Sequence, residues 1–166
     1  MQVTAYVALG ANLGDPVATL RAACAALRGI PAAHLLAASS LYRTAPVGLR
    51  DQPDFINAVA ALTVDDAVLP APTFLERLFA IEASFGRVRS IKNAPRTLDL
   101  DLLLFGDQRL NLPGLTLPHP RLAERAFVLA PLAEIAPDLT IPGHGRDVRV
   151  TDLLAAVADQ RIERLA

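Results

Sequence analysis

The amino-acid sequence predicts an α+β fold, a βαββαβ core in which helices pack on one face of an antiparallel sheet. Three observations carry this expectation. Apolar, β-rich runs occupy residues 3–9, 34–44, 55–64 and 97–105, the length and composition of strands. Two helical stretches separate them, each with its own start and stop chemistry. The order strand, helix, strand, strand, helix, strand is that of ferredoxin-like domains.

The elements follow in order. The first strand leads to a turn loosened by Gly10 and Gly14, and Asp15-Pro16 then supplies a helix N-cap and a first-turn proline. This helix runs to about residue 28, where Gly29 and Pro31 end it. A loop over 45–54, containing proline and glycine, divides the second strand from the third. The second helix opens near Pro72 and Thr73 and closes at Gly86. Gly106-Asp107 turns the fourth strand into a short following segment. Six of the 13 prolines lie beyond Asn111. They divide the remainder into pieces, with helices over 126–135 and 151–159 dressing the core. Those pieces are too small to fold alone, so residues 1–166 are read as a single domain.

Composition narrows the function. With 52% hydrophobic and 20% charged residues, the chain is not of the disordered class. No apolar stretch reaches the ~18 residues of a membrane span, and the N-terminus lacks the basic flank of a signal peptide. A cytoplasmic protein without membrane contact is expected. The net charge of −1 provides no general field for nucleic acid. The one cysteine, Cys24, lies among alanines in the first helix and is read as a packing residue.

Leu98-Asp99-Leu100-Asp101-Leu102 is the sharpest local pattern. In a strand, Asp99 and Asp101 share one face and the three leucines the other. Two readings stand open: a solvated strand face, or a pair of oxygen ligands for Mg²⁺ and the phosphates it carries. Aspartate is a poor strand former and two like charges repel, which gives the second reading its weight. Arg87, Arg89, Lys92 and Arg96 precede the pair within ten residues, and Lys92 is the chain's only lysine. Cations beside metal-binding carboxylates suit a polyphosphate. The strand-to-helix turn over 10–14 lacks the lysine and spacing of a phosphate-binding loop, so side chains and metal would hold the phosphates. His119, fixed between Pro118 and Pro120, sits where a rigid loop presents a ligand contact or merely turns. Two other functions remain: a sheet that stacks RNA bases, for which the chain has no tryptophan and only two tyrosines, and a regulatory nucleotide-binding domain without turnover.

Taken together, these residues resemble the 6-hydroxymethyl-7,8-dihydropterin pyrophosphokinases over nearly the whole chain. The most specific block is Pro95-Arg96-Thr97-Leu98-Asp99-Leu100-Asp101, followed by Leu117-Pro118-His119-Pro120. Residues 8–15, 40–44, 52–57 and 86–89 carry further matches. The resemblance implies an enzyme that moves pyrophosphate from ATP to a pterin alcohol, with two Mg²⁺ ions held by Asp99 and Asp101. By the same resemblance Arg87 and Arg96 join the aspartates as catalytic residues. Glu82, Arg87, Arg89, Arg96, Leu102, Thr116, His119 and Arg125 correspond to the ATP site. Thr44, Pro46, Val47, Phe55, Asn57, Asp99 and Phe127 correspond to the pterin pocket, with Phe55 and Phe127 on opposite faces of the bicycle. It further implies a monomer acting on small molecules, without nucleic acid. The chain departs from the family at Ala11, commonly a serine, and at Phe79, where some members place a glutamine that touches the nucleotide. At Asn93, in a shortened loop, a tryptophan often covers the pterin.

Overall fold

A computed structural model describes residues 1–46, 51–86, 97–143 and 145–165. Val47, Arg87, Arg89, Lys92, Asn93 and Arg96 lie outside the described residues. Strand β1 (Gln2–Ala11) is central and pairs antiparallel with β4 (Phe55–Asp65) on one side and β5 (Asp99–Phe105) on the other. Beyond β4 lie β2 (Ala33–Ala38) and β3 (Tyr42–Thr44), both antiparallel to it. Core strands four, one, three and two therefore stand side by side, the ferredoxin-like order.

The run over 34–44 is one edge broken into two strands. At the break, Ser39 N donates to Val59 O at 2.9 Å and Ser39 Oγ accepts from Val59 N at 2.9 Å. A side chain thus takes a backbone place in the ladder. The amide of Ser40 turns out of the sheet to the Glu134 carboxylate.

Helix α1 (Pro16–Arg28) starts as the sequence indicates, with Asp15 Oδ1 accepting from Ala18 N at 3.1 Å. Helix α2 (Ala71–Ser84) ends before Gly86, whose φ of +81° suits the C′ position. Both cover one sheet face, where Leu20, Ala23, Leu27, Phe74 and Leu78 meet Ala5, Val7, Leu9, Leu100 and Phe105. Phe74 and Phe105 are in ring contact at 5.8 Å.

The opposite face is also covered, a correction to the expected one-sided packing. Helix α3 (Ala126–Ile135) and α4 (Val150–Ala156) lie there over Tyr6, Ala8, Val59, Leu103 and Leu104. β1 is apolar at successive positions, so both of its faces require cover. A bulge between β1 and β5, where Tyr6 faces Leu104 but Val7 faces Leu102, sends Leu102 and Phe105 into the first core and Leu103 and Leu104 into the second. α4 ends three residues before the expected boundary. Short pairs complete the fold: β6 (Leu110–Leu112) with β7 (Leu115–Leu117), β8 (Thr140–Ile141) with β9 (Val148–Arg149), and β10 (Glu163–Arg164) on the outer edge of β3. Among the described residues no helix is long and apolar enough to cross a membrane.

Candidate active site

Strand geometry sorts the acidic block as its spacing implies. Leu98, Leu100 and Leu102 are buried in the first core, while Asp99 and Asp101 are half-buried on the face that α3 covers further along. Antiparallel partners share a face, so the register extends this strip across the sheet. Asp101 is opposite Ala8, Asp99 opposite Gly10, Gly10 opposite Asn57, and Phe55 opposite Thr44. The two aspartates, Asn57, Phe55 and Thr44 therefore line one surface. Asn57 is buried and donates from Nδ2 to Thr44 Oγ1 at 2.9 Å. Gly10 keeps the strip open: a Cβ there would stand 3.3 Å from Asn57 Oδ1. Below the strip, buried Asn12 donates to Gln52 Oε1 at 2.8 Å and Pro53 O at 3.1 Å. These bonds tie the turn after β1 to the approach to β4.

Phe127 stands at the start of α3, half-buried against the second core, with Arg125 Cζ 5.4 Å from its ring centroid. Pro46 is half-buried just after β3.

An open cleft of about 280 Å³ lies against β5. Leu75 and Phe79 of α2 form one wall, Leu100, Asp101 and Leu102 the floor, and Gly114, Thr116, His119 and Pro120 the other side. It brings together Asp101, Leu102, Thr116 and His119, four residues singled out in the sequence. His119 is docked by its own amide, which donates to Leu103 O at 2.9 Å, and its Nδ1 accepts from Arg121 N at 3.1 Å.

Glu82 takes a different position: it is 1% exposed, and its Oε2 accepts from Leu100 N at 2.6 Å. It anchors the outward backbone of β5 beside the cleft and does not line it. Phe79 is marked in the sequence only as a departure from the family, Pro120 only as part of the Leu117-Pro118-His119-Pro120 block, and nothing marks Leu75 or Gly114 as cleft residues.

Burial, then Arg125 and Arg121, hold the His119 imidazolium at a pKa of about 4, against the opposing pull of Asp99. His119 is thus neutral near pH 7 and Nδ1 is an acceptor. A folded pKa below the unfolded value means that stability is lost as pH falls from about 6.5 toward 4. In ligand-free, metal-free protein, His119→Asn keeps an acceptor for Arg121 N and is expected to lose less thermal stability than wild type between pH 7 and 5. Parallel melting-temperature loss in the two proteins would contradict the assignment.

Comparison with known proteins identifies the family. Residues 6–137 match the family model described as 7,8-dihydro-6-hydroxymethylpterin-pyrophosphokinase. A 2-amino-4-hydroxy-6-hydroxymethyldihydropteridine pyrophosphokinase from Pseudomonas aeruginosa is 50% identical over 160 residues, covering 96% of this chain and 95% of that protein. The enzyme of the same name from Haemophilus influenzae is 41% identical over 163 residues, with 98% of each chain covered. Among solved structures, Plasmodium falciparum HPPK-DHPS with pterin and p-hydroxybenzoate superposes with a TM-score of 0.70 at 13% identity, over 96% of this chain. The present chain spans 44% of that longer one, and at this identity the likeness bears on the fold alone.

Proposed function

This chain belongs to the 7,8-dihydro-6-hydroxymethylpterin-pyrophosphokinase family, and from that premise we propose which of its residues carry the reaction. The activity is transfer of pyrophosphate from ATP, the co-substrate, to the hydroxymethyl group of 6-hydroxymethyl-7,8-dihydropterin in folate biosynthesis. The bond formed joins the alcohol oxygen to the β-phosphorus, and the bond broken releases AMP.

One observation carries the residue assignment. Asp101 borders the cleft beside β5 and, with Asp99, lies on the same strip as Asn57, Phe55 and Thr44. The acidic pair therefore stands where a nucleotide in the cleft and a flat heterocycle on the strip would meet. Leu102, Thr116 and His119 would hold the nucleotide. Asn57 would read the pterin edge, with Thr44 fixing its amide and Pro46 beside it. Phe55 and Phe127 would take the two ring faces.

Two carboxylates one residue apart on a strand suit Mg²⁺, which keeps several waters and takes phosphate oxygens as further ligands. Among the described residues no group of three or more His, Cys, Asp or Glu could cage a metal. This favours an ion shared with substrate phosphates over one enclosed by protein. Asp99 and Asp101 would hold the metal, proposed as two ions, and when bound it supplies neutralisation of phosphate charge. The chain's own part is positioning: alcohol and β-phosphorus are brought into line in a partly enclosed site. Val47, Glu82, Arg87, Arg89, Arg96 and Arg125 complete the proposed set, Glu82 through the backbone of β5 and the arginines as cations for the phosphates. The proposed working form is a cytoplasmic monomer that binds neither nucleic acid nor membrane.

Phe79 offers a test of the cleft. It is 39% exposed on the α2 wall, and a base stacked on an aromatic ring gains about 1–3 kcal/mol. Phe79→Ala is expected to raise the ATP Kd about fivefold or more and leave the pterin Kd unchanged, as read by calorimetric titration. Unchanged ATP affinity would remove the nucleobase from this wall.

A further inference from the structure

We propose that Gln160, an exposed residue in the C-terminal segment, is a positioning residue that sets Arg125 and Phe127 at the junction of the nucleotide and pterin sites. The inference rests on the roles assigned to those two residues above. The Gln160 side-chain amide makes two hydrogen bonds to the backbone on either side of Arg125. Its Oε1 accepts from Ala126 N at 2.9 Å, and its Nε2 donates to Glu124 O at 2.7 Å. One planar amide thus grips the turn between the 3₁₀ segment Leu122–Glu124 and the first residue of α3.

From its own helix the turn is held through Arg125 O, which accepts from Val128 N at 3.1 Å and Leu129 N at 3.0 Å. Arg125 is the N-cap of α3 and makes no side-chain capping bond, so the amide of Ala126 is satisfied from 34 residues away. Pro131 lies within α3 and, having no N–H, withdraws the helical bond that Phe127 O would otherwise accept. The cap supplied by Gln160 therefore bears on the part of α3 that holds Phe127 and, through the 5.4 Å contact, the Arg125 guanidinium.

Gln160 is itself held at both ends. Its own amide donates to Val157 O at 3.0 Å. Further on, β10 pairs with β3, Leu165 N donates to Leu41 O at 2.8 Å, and Arg164 Nε donates to Ser40 Oγ at 3.1 Å. Arg164 Nη2 also lies 3.7 Å from Glu134, the carboxylate that holds Ser40 and Tyr42. The segment thus ties the start of α3 to β3, the strand that carries Thr44 opposite Phe55. Arg125 and Phe127 on one side, and the Thr44–Asn57 strip on the other, are held by one strap.

The test uses the full-length chain at 25 °C, with 6-hydroxymethylpterin and α,β-methylene-ATP as probes, Mg²⁺ present, and a melting curve for each variant. Gln160→Ala removes both bonds. At a temperature where the variant is fully folded, it is expected to weaken pterin binding about threefold to tenfold, the loss of one or two ordinary hydrogen bonds expressed at the site. Gln160→Glu keeps the acceptor for Ala126 N and loses the donor to Glu124 O, so its loss should fall between wild type and Gln160→Ala. A lowered melting temperature with unchanged affinity for both probes would overturn the proposal, since Gln160 would then only stabilise the fold. Phe127→Ala is the control. If it weakens pterin binding while Gln160→Ala does not, the strap is wrong and the slot stands; if Phe127→Ala also leaves binding unchanged, the slot itself is wrong.

Discussion

Asp99→Asn and Asp101→Asn are expected to fold normally and to lose at least about a hundredfold in turnover. Both carboxylates are only half-buried on the sheet face, so a neutral isostere of the same shape is accommodated there without a cavity or overpacking. What is lost is one half of the anionic pair proposed to hold Mg²⁺. The two variants should differ in detail. Asp101 borders the cleft proposed for the nucleotide, so Asp101→Asn should change ATP affinity in Mg²⁺ more than Asp99→Asn. Asp99 lies in the row of Gly10 and Asn57, closer to the strip proposed for the pterin. Normal turnover by either variant at saturating Mg²⁺ would rule out the metal assignment.

Phe127→Ala carries the second large effect. Stacking on one ring is worth roughly 1–3 kcal/mol and about 1.4 kcal/mol is tenfold, so pterin binding should weaken about tenfold or more. Phe55→Tyr should be nearly silent, because the ring face is kept. Phe127 also packs partly into the second core, so the alanine variant will melt at a lower temperature as well. Selectivity is the discriminating readout. Arg125 lies over the half-buried Phe127 ring, and losing a cation–π contact of about 1 kcal/mol would cost ATP only a few-fold. Equal weakening of both ligands well below the melting temperature would mean that Phe127 is a core residue alone.

Much of this was legible in the chain because it depends on local chemistry. Asp15-Pro16 caps α1 by a bond across three residues, and Gly86 ends α2 through its own positive φ. The alternation of Leu98 to Leu102 sorts two faces by backbone geometry alone, which is why the acidic pair could be found from spacing. The break between β2 and β3 was hidden, because Ser39 substitutes a side-chain oxygen for a backbone group and the β-rich composition continues through it. The face covered by the second helical layer is not legible, because short segments divided by proline give weak periodicity. The β6–β7 hairpin did carry a signal in Pro113-Gly114, where Gly114 has a φ of +79°. The nucleotide cleft could be read only in part. His119, Thr116 and Leu102 are picked out by family likeness, whereas Leu75 joins them only through tertiary packing. Gln160 carried no local mark at all, since both of its partners are backbone atoms of a distant turn.

The acidic pair on β5 is proposed to organise transfer of a whole pyrophosphoryl group between the cleft and the strip. Quantifying nucleotide and pterin products from ATP and 6-hydroxymethyl-7,8-dihydropterin, by chromatography with and without Mg²⁺, tests it most directly. Wild type should form AMP and the pterin diphosphate in equal amounts, only with the metal, and Asp101→Asn should form little of either. ADP as the nucleotide product, or undiminished AMP and pterin diphosphate from the variant, would contradict the account.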